Sequence, residues 1–200
     1  MTTLAALVAA ELAEPADPRV SAIAAAIAAQ HRAASRAVLF YGSCLRQREL
    51  DGLMLDFYLI VSDYAAAYPG SWLATANRLI PPNVFPFAHE GLAAKYAVLS
   101  EDDFAALNGP EASTVSVWAR FAQPSRLVWV ADDKAGTMAI NAVARAAPSL
   151  FMLARPIAGS DDVLAVWRAG FAQTYRAELR AEREDRSGSI VDADPERYRR

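Results

Sequence analysis

Cysteine is nearly missing from this 200-residue chain: Cys44 stands alone, which excludes an internal disulfide and suits a reducing compartment. The two histidines, His31 and His89, lie far apart, which argues against a histidine-rich metal centre and leaves little from which to build a catalytic triad. Lysine is limited to Lys95 and Lys134 beside many arginines, so each lysine calls for a reason. The opening "MTTLAALVAAELAEPADP" has no basic n-region and meets Glu11 and Glu14 early, so it does not read as a signal peptide. No apolar run reads as long enough to span a bilayer, and any membrane contact is expected to be peripheral. A formal charge of −3 argues against a dedicated nucleic-acid binder.

What is present is apolar. The chain is 54% hydrophobic and 22% charged, enough for a real core in one medium domain or a domain with a smaller appendage. Asp17-Pro18 is a helix start, with Val20, Ile23 and Ile27 recurring on one face through His31. "AVLFY" (37–41) reads as a buried strand closed by Gly42-Ser43, followed by a helix in "CLRQREL". "MLDFYLIV" (54–61) reads as a second strand after an Asp51-Gly52 turn. "SWLATANRLI" (71–80) is expected to be helical, stopped by Pro81-Pro82. "AAKYAVL" (93–99) and "RLVWVA" (126–131) are further strands, and Ser100 caps a helix begun by "SEDDF". Residues 135–154 and 160–186 carry helical spacing. The expected fold is α+β: a mixed sheet flanked by helices over residues 1–133, with a C-terminal helical region over 134–200.

One residue in this pattern needs an explanation. Asp56 lies between Leu55 and Phe57 inside an apolar strand, where alternation places Met54, Asp56, Tyr58 and Ile60 on one face. A carboxylate there must be paired, protonated or bound to a metal. Upstream, Gly42 permits close approach of backbone to a ligand, and amides at a helix start suit phosphate. Taken alone, the pattern is equally that of a plain strand-turn-strand whose acid accepts hydrogen bonds at a sheet edge.

Gly42-Ser43 followed by an in-strand acid resembles the polymerase-β-like nucleotidyltransferases, in which serine and loop amides hold a triphosphate and strand carboxylates hold magnesium. That superfamily usually has Asp-x-Asp, and Tyr58 occupies the second place here. The longer stretch "YGSCLRQRELDGLMLDFYLIVSD" resembles the mitochondrial-type phosphatidate cytidylyltransferases, the peripheral CDP-diacylglycerol synthases, through Tyr41, Gly42, Ser43, Met54, Leu55, Asp56, Phe57, Val61 and Asp63. A single Asp-Phe is typical of that family. Asn77 in "NRLIPPN", Lys95 in "KYAVLSEDD", and Arg120 with Pro124 in "WARFAQPSRLVWV" extend the similarity, which runs from about residue 38 to 180. The family's Lys-Pro is Gln123-Pro124 here, its Trp-His is absent, and the segment between Val61 and Lys95 is shorter. With no mitochondrial presequence, the resemblance points to a bacterial relative.

The resemblance implies an Mg²⁺-dependent transfer of CMP from CTP to a lipid phosphate such as phosphatidic acid, in the cytoplasm with peripheral contact at the inner face of the membrane. Asp56 would hold the metal, with Asp63 as a second ligand or simply a cap. Gly42, Ser43 and Asn77 would hold the nucleotide, and Lys95 and Arg120 would stabilise phosphate charge. Without the resemblance, Lys95 is a snorkelling strand-edge lysine, Arg120 a surface helix residue, Cys44 a small residue beside the loop and Asp132-Asp133 a turn or a further ligand. "YRAELRAERED" (175–185) is a solvated Glu–Arg helix or a contact with anionic lipid, and Val163, Leu164, Trp167 and Phe171 form an apolar face before it. Two rival readings are a nucleotidyltransferase with a non-lipid acceptor and a non-catalytic nucleotide-binding module.

Overall fold

In the computed structural model, residues 3–47, 49–177 and 190–200 are described. Their contacts divide the chain into two units that are discontinuous in sequence: 1–105 with 124–142, and 106–123 with 143–200. This partition does not fall at 133/134, because residues 106–123 go with the later helices and most of the helix after the last strand goes with the sheet. The protein is α+β, with a five-stranded mixed sheet flanked by helices.

The first unit is built on strands β1 (Ser35–Tyr41), β2 (Met54–Val61), β3 (Asn83–His89), β4 (Leu92–Ser100) and β5 (Ser125–Val130), in the order β3-β4-β2-β1-β5. β2 and β4 run parallel, and the other neighbours are antiparallel. Helices α1 (Leu4–Leu12) and α2 (Pro18–His31) precede the sheet. Asp17 caps α2 by accepting from Arg19 N at 2.8 Å, and Pro18 supplies the preset first turn. Val20, Ile23, Ala24, Ile27 and Ala28 recur at i, i+3, i+4, i+7 and i+8 and are buried, as an amphipathic helix on a sheet requires. They share one core with Val38, Phe40, Leu55, Phe57, Leu59, Val61, Ala94, Tyr96 and Val98, the alternate side chains of three strands.

The crossover from β2 to β4 carries α3 (Tyr64–Ala67), α4 (Leu73–Leu79) and the edge strand β3. β3 is not among the strands expected from the sequence, and it contains Pro86. Proline is tolerated on an edge strand, where its missing N–H interrupts no inner ladder. Phe85 and Phe87 turn towards the core while Val84 and Pro86 stay exposed, the alternation of a half-buried strand. A two-residue Glu90-Gly91 turn with both φ positive (47° and 81°) joins β3 to β4, the geometry that matches strand twist.

A second departure lies after β1. The expected helix in "CLRQREL" is a four-residue 3-10 turn, Ser43–Arg46, after which the described chain is irregular up to the Asp51-Gly52 turn. At the other end of the sheet, Arg36 on β1 binds Glu101 at 2.9 Å, at the start of α5 (Glu101–Leu107). It also binds Asp132 at 2.8 Å, just before α7 (Asp133–Val143). Asp132 also accepts from Ala135 N at 2.8 Å, so it is a helix cap and an ion-pair partner.

The second unit is helical among the described residues. It contains α6 (Trp118–Phe121), α8 (Ala146–Ala154), α9 (Val163–Ala177) and a C-terminal helix α10 (Pro195–Arg199). α8 and α9 pack closely: a Cβ on Gly170 would lie 2.4 Å from Leu150 Cδ2, so only glycine fits there. Trp167 stacks on Phe171 at 5.9 Å and meets the Tyr198 ring edge-on at 5.1 Å. The apolar face expected from Leu164, Trp167 and Phe171 is thus buried, whereas Val163 stays 40% exposed. The expected Glu–Arg helix lies largely outside the described residues, which include Tyr175, Arg176 and Ala177 of it.

The helical stretch 133–157 is long and apolar enough to cross a membrane by length and composition, which the sequence reading had not found. A turn at residues 144–145 interrupts it. α7 buries Ala135, Ala139 and Ala142, and α8 buries Ala146, Leu150 and Ala154, so part of its apolar content serves packing within the protein.

Candidate functional site

The register of the sheet sets the site. On one face, Ser125 of β5 pairs with Tyr41 of β1, Tyr41 with Asp56 of β2, Asp56 with Lys95 of β4, and Lys95 with Pro86 of β3. These five residues form a row across all five strands, with Asp56 at its centre. Leu55 and Phe57, on either side of Asp56 in sequence, point to the opposite face and are fully buried. The apolar flanks therefore build the core on one side of the sheet, while the acid lies on the other side, two residues before buried Tyr58.

Asp56 is held on two sides. Its Oδ1 lies 3.3 Å from Lys95 Nζ, with the lysine side chain 51% exposed and the aspartate 23%. Its Oδ2 lies against Gly42, where a Cβ would approach to 3.2 Å. Gly42 has φ +96° and ψ −170°, a combination in effect restricted to glycine. Two independent requirements, the backbone conformation and the close carboxylate, thus meet at one glycine. Leu45 N bonds back to Gly42 O at 3.3 Å and closes the 3-10 turn, leaving Ser43 exposed beside the acid.

Cys44 is buried and its thiol lies 3.4 Å from Met54 O, tying the turn to the start of β2. Burial, and then the charge of Asp56, push this thiol up from its ordinary value. It is a poor nucleophile and serves as a buttress. Tyr58, at the place of a second acid, is buried on the Asp56 face with its ring 5.3 Å from that of Tyr41. An aromatic pair thus occupies the position that would otherwise hold another carboxylate.

The other sequence-derived candidates fall elsewhere. Asn77 is fully buried: its Nδ2 donates to Val98 O at 2.9 Å and its Oδ1 accepts from Asn83 N at 2.5 Å. Its amide joins α4 to β4 and to the start of β3, which accounts for its burial without a ligand. Asp63 caps α3 by accepting from Ala66 N at 2.8 Å. It lies beyond Val61, and β2 alone spans about 17 Å from Asp56 to Val61, so Asp56 and Asp63 cannot share one ion. Arg120 belongs to the second unit, where its guanidinium donates to the Ser116 carbonyl oxygen.

Among the described residues no group of three or more His, Cys, Asp and Glu side chains could hold a metal. The row itself contributes one carboxylate. That donor set suits an Mg²⁺ ion that draws most of its ligands from phosphate oxygens and water, and does not suit an all-protein metal cage.

Sequence reading assigned no role to Tyr41 beyond its place in the motif, and it passed over Ser125. The Ser125 hydroxyl is buried without a hydrogen-bond partner, and only the non-local β1–β5 pairing brings it into the row. No protein-family model matches the chain, and no curated protein matches it.

Proposed function

We propose that the protein is a polymerase-β-like nucleotidyltransferase that transfers CMP from CTP to a lipid phosphate such as phosphatidic acid, releasing pyrophosphate and forming CDP-diacylglycerol. The observation that carries this reading is the contact of the Gly42-Ser43 turn with Asp56, itself paired to Lys95 on one sheet face. A turn with close-approach backbone, one carboxylate and one cation are the groups that binding a nucleoside triphosphate calls for. The resemblance of residues 41–63 to the cytidylyltransferases supports the choice of nucleotide and acceptor.

In this reading an oxygen of the acceptor phosphate attacks the α-phosphorus of CTP, the bond to the bridging oxygen breaks, and pyrophosphate leaves. A phosphate monoester is already anionic near neutral pH, so the site needs no strong general base, in keeping with the absence of histidine from the row. Catalysis then rests on positioning and charge neutralisation. The Gly42-Ser43 turn would hold the triphosphate, and Lys95 would exchange Asp56 for phosphate oxygens as substrate enters. Asp56, together with the triphosphate, would hold Mg²⁺, which supplies neutralisation of the developing charge.

A second reading, a nucleotide-binding module without catalysis, is favoured by Tyr58 in place of a second acid. Incubation with Mg²⁺, labelled CTP and phosphatidic acid separates the two: labelled CDP-diacylglycerol is expected. Nucleotide binding without product from any phosphate acceptor would favour the module.

A further inference from the structure

Helix α4 carries large apolar side chains on its exposed side as well as on its buried one. Leu73 and Ala74 pack on the core and Asn77 is pegged into it. Trp72 and Leu79 are seven residues apart, two helical turns, so they share a side, and it is opposite to Leu73 and Asn77. Trp72 is 75% exposed, Leu79 75% and the following Ile80 80%, the three most exposed large apolar side chains among the described residues.

The charge around them is also uneven. The chain has 23 acidic residues and a net charge of −3, yet from Tyr64 to His89 there is no Asp or Glu. The one Lys or Arg in that span, Arg78, is exposed beside Leu79 and has no ion-pair partner among the described residues. The exposed Met152, Leu153, Ile157 and Val163 of the second unit, by contrast, are interspersed with Arg155, Asp161 and Asp162 and have no such bias.

We infer that Trp72, Arg78, Leu79 and Ile80 form the surface on which the protein seats on an anionic lipid bilayer. This rests on the lipid-phosphate reading above and names the membrane-facing part of the enzyme. An indole suits the headgroup layer, two aliphatic side chains reach the acyl boundary, and a guanidinium pairs with lipid phosphate. Three exposed apolar side chains offer roughly half of the ~800 Å² that each partner of a standard protein interface buries. A bilayer needs no complementary partner surface, and so small a patch gives reversible docking.

The test uses the full chain in flotation with two vesicle types, pure phosphatidylcholine and an equal mixture of phosphatidylcholine and phosphatidylglycerol. Wild type is expected to float with the anionic vesicles preferentially. The double variant Leu79→Asp/Ile80→Asp and, separately, Arg78→Glu are expected to lose about tenfold in partitioning. Their unfolding midpoints should stay at the wild-type value, because the side chains are exposed, and so should transfer to a water-soluble short-chain phosphatidic acid. Variants that float as well as wild type overturn the proposed surface. Variants that keep vesicle binding but change a dimer into a monomer assign the patch to a second copy and also overturn it. Loss of flotation in the variants, with no transfer to any acceptor by wild type, upholds the surface and overturns the nucleotidyltransferase reading alone.

Discussion

Asp56 and Lys95 are direct partners in the parallel β2–β4 pair, with carboxylate and ammonium 3.3 Å apart on a half-open sheet face. A pair this exposed contributes little to stability, about 0–1 kcal/mol. Its presence inside an apolar strand is therefore not explained by a large contribution of this pair to folding. Asp56→Asn, which keeps the shape and removes the charge, is expected to lower cytidylyl transfer by about a hundredfold or more while shifting the unfolding free energy by less than about 1 kcal/mol. A steady-state assay beside urea unfolding checks both, and an unchanged rate would remove Asp56 from the mechanism.

Gly42→Ala tests the turn. The new methyl would need φ near +96° and would press on Asp56 Oδ2 from 3.2 Å. A loss of about 1–3 kcal/mol in unfolding free energy is expected. Activity should fall further than stability accounts for, because the carboxylate must move. A variant as stable as wild type would contradict the strain.

Asn77→Ala separates a structural tie from a nucleotide contact. Removing the amide leaves Val98 O and Asn83 N unsatisfied in the interior, and a loss of about 2–4 kcal/mol is expected by chemical unfolding. In the folded fraction the KM for CTP should be unchanged. A raised KM would return Asn77 to the binding site.

Asp63→Ala should remove only a helix cap, lowering stability by about 1 kcal/mol. The magnesium concentration giving half-maximal activity should not move, since Asp63 lies at the other end of β2 from Asp56. A clear rise in that concentration would mean that the two acids act together.

His31 gives the protein a pH dependence. Its Nδ1 faces the Ala67 carbonyl oxygen at 3.2 Å, and a carbonyl can only accept, so Nδ1 carries the proton and Nε2 is free to accept from the Tyr96 hydroxyl at 3.4 Å. Burial pulls the imidazole below its ordinary value of 6.5, outweighing the opposing hydrogen bond to Ala67. Between the lowered folded value and 6.5 the unfolded chain binds more protons, so stability is lost as pH falls through that window and is full above it. Melting temperature should therefore drop on acidification below about pH 6.5, and His31→Asn should flatten that part of the curve. An equal slope in the variant would place the titration elsewhere.

Much of the fold is legible along the chain because local signals agree with it. Asp17-Pro18, the buried face of α2, β2 over Met54–Val61, the Asp51-Gly52 turn and the Ser100 cap all follow from capping chemistry and from periods of two and 3.6. β3 is less legible, because it contains Pro86 and owes its place to pairing with β4 at the sheet edge. A helix is expected after Ser43, but Gly42 and the Cys44–Met54 tie lead the chain through a short turn and then along an irregular path.

By itself, the sequence determined that Asp56 sits on a strand, on the face shared with Met54, Tyr58 and Ile60, and shortly after a glycine-serine turn. These are local facts, set by alternation and by the conformational freedom of glycine. Only the tertiary structure decided who meets that acid. Lys95 lies thirty-nine residues on and reaches it through the parallel β2–β4 register, and Tyr41 reaches it through the antiparallel β1–β2 register. The β3–β4 pairing makes Asn77 a support for the sheet, whereas the Asp63 cap is local and was already open in the sequence. Strand order and register are set by the summed burial of whole faces, which no short stretch of sequence contains.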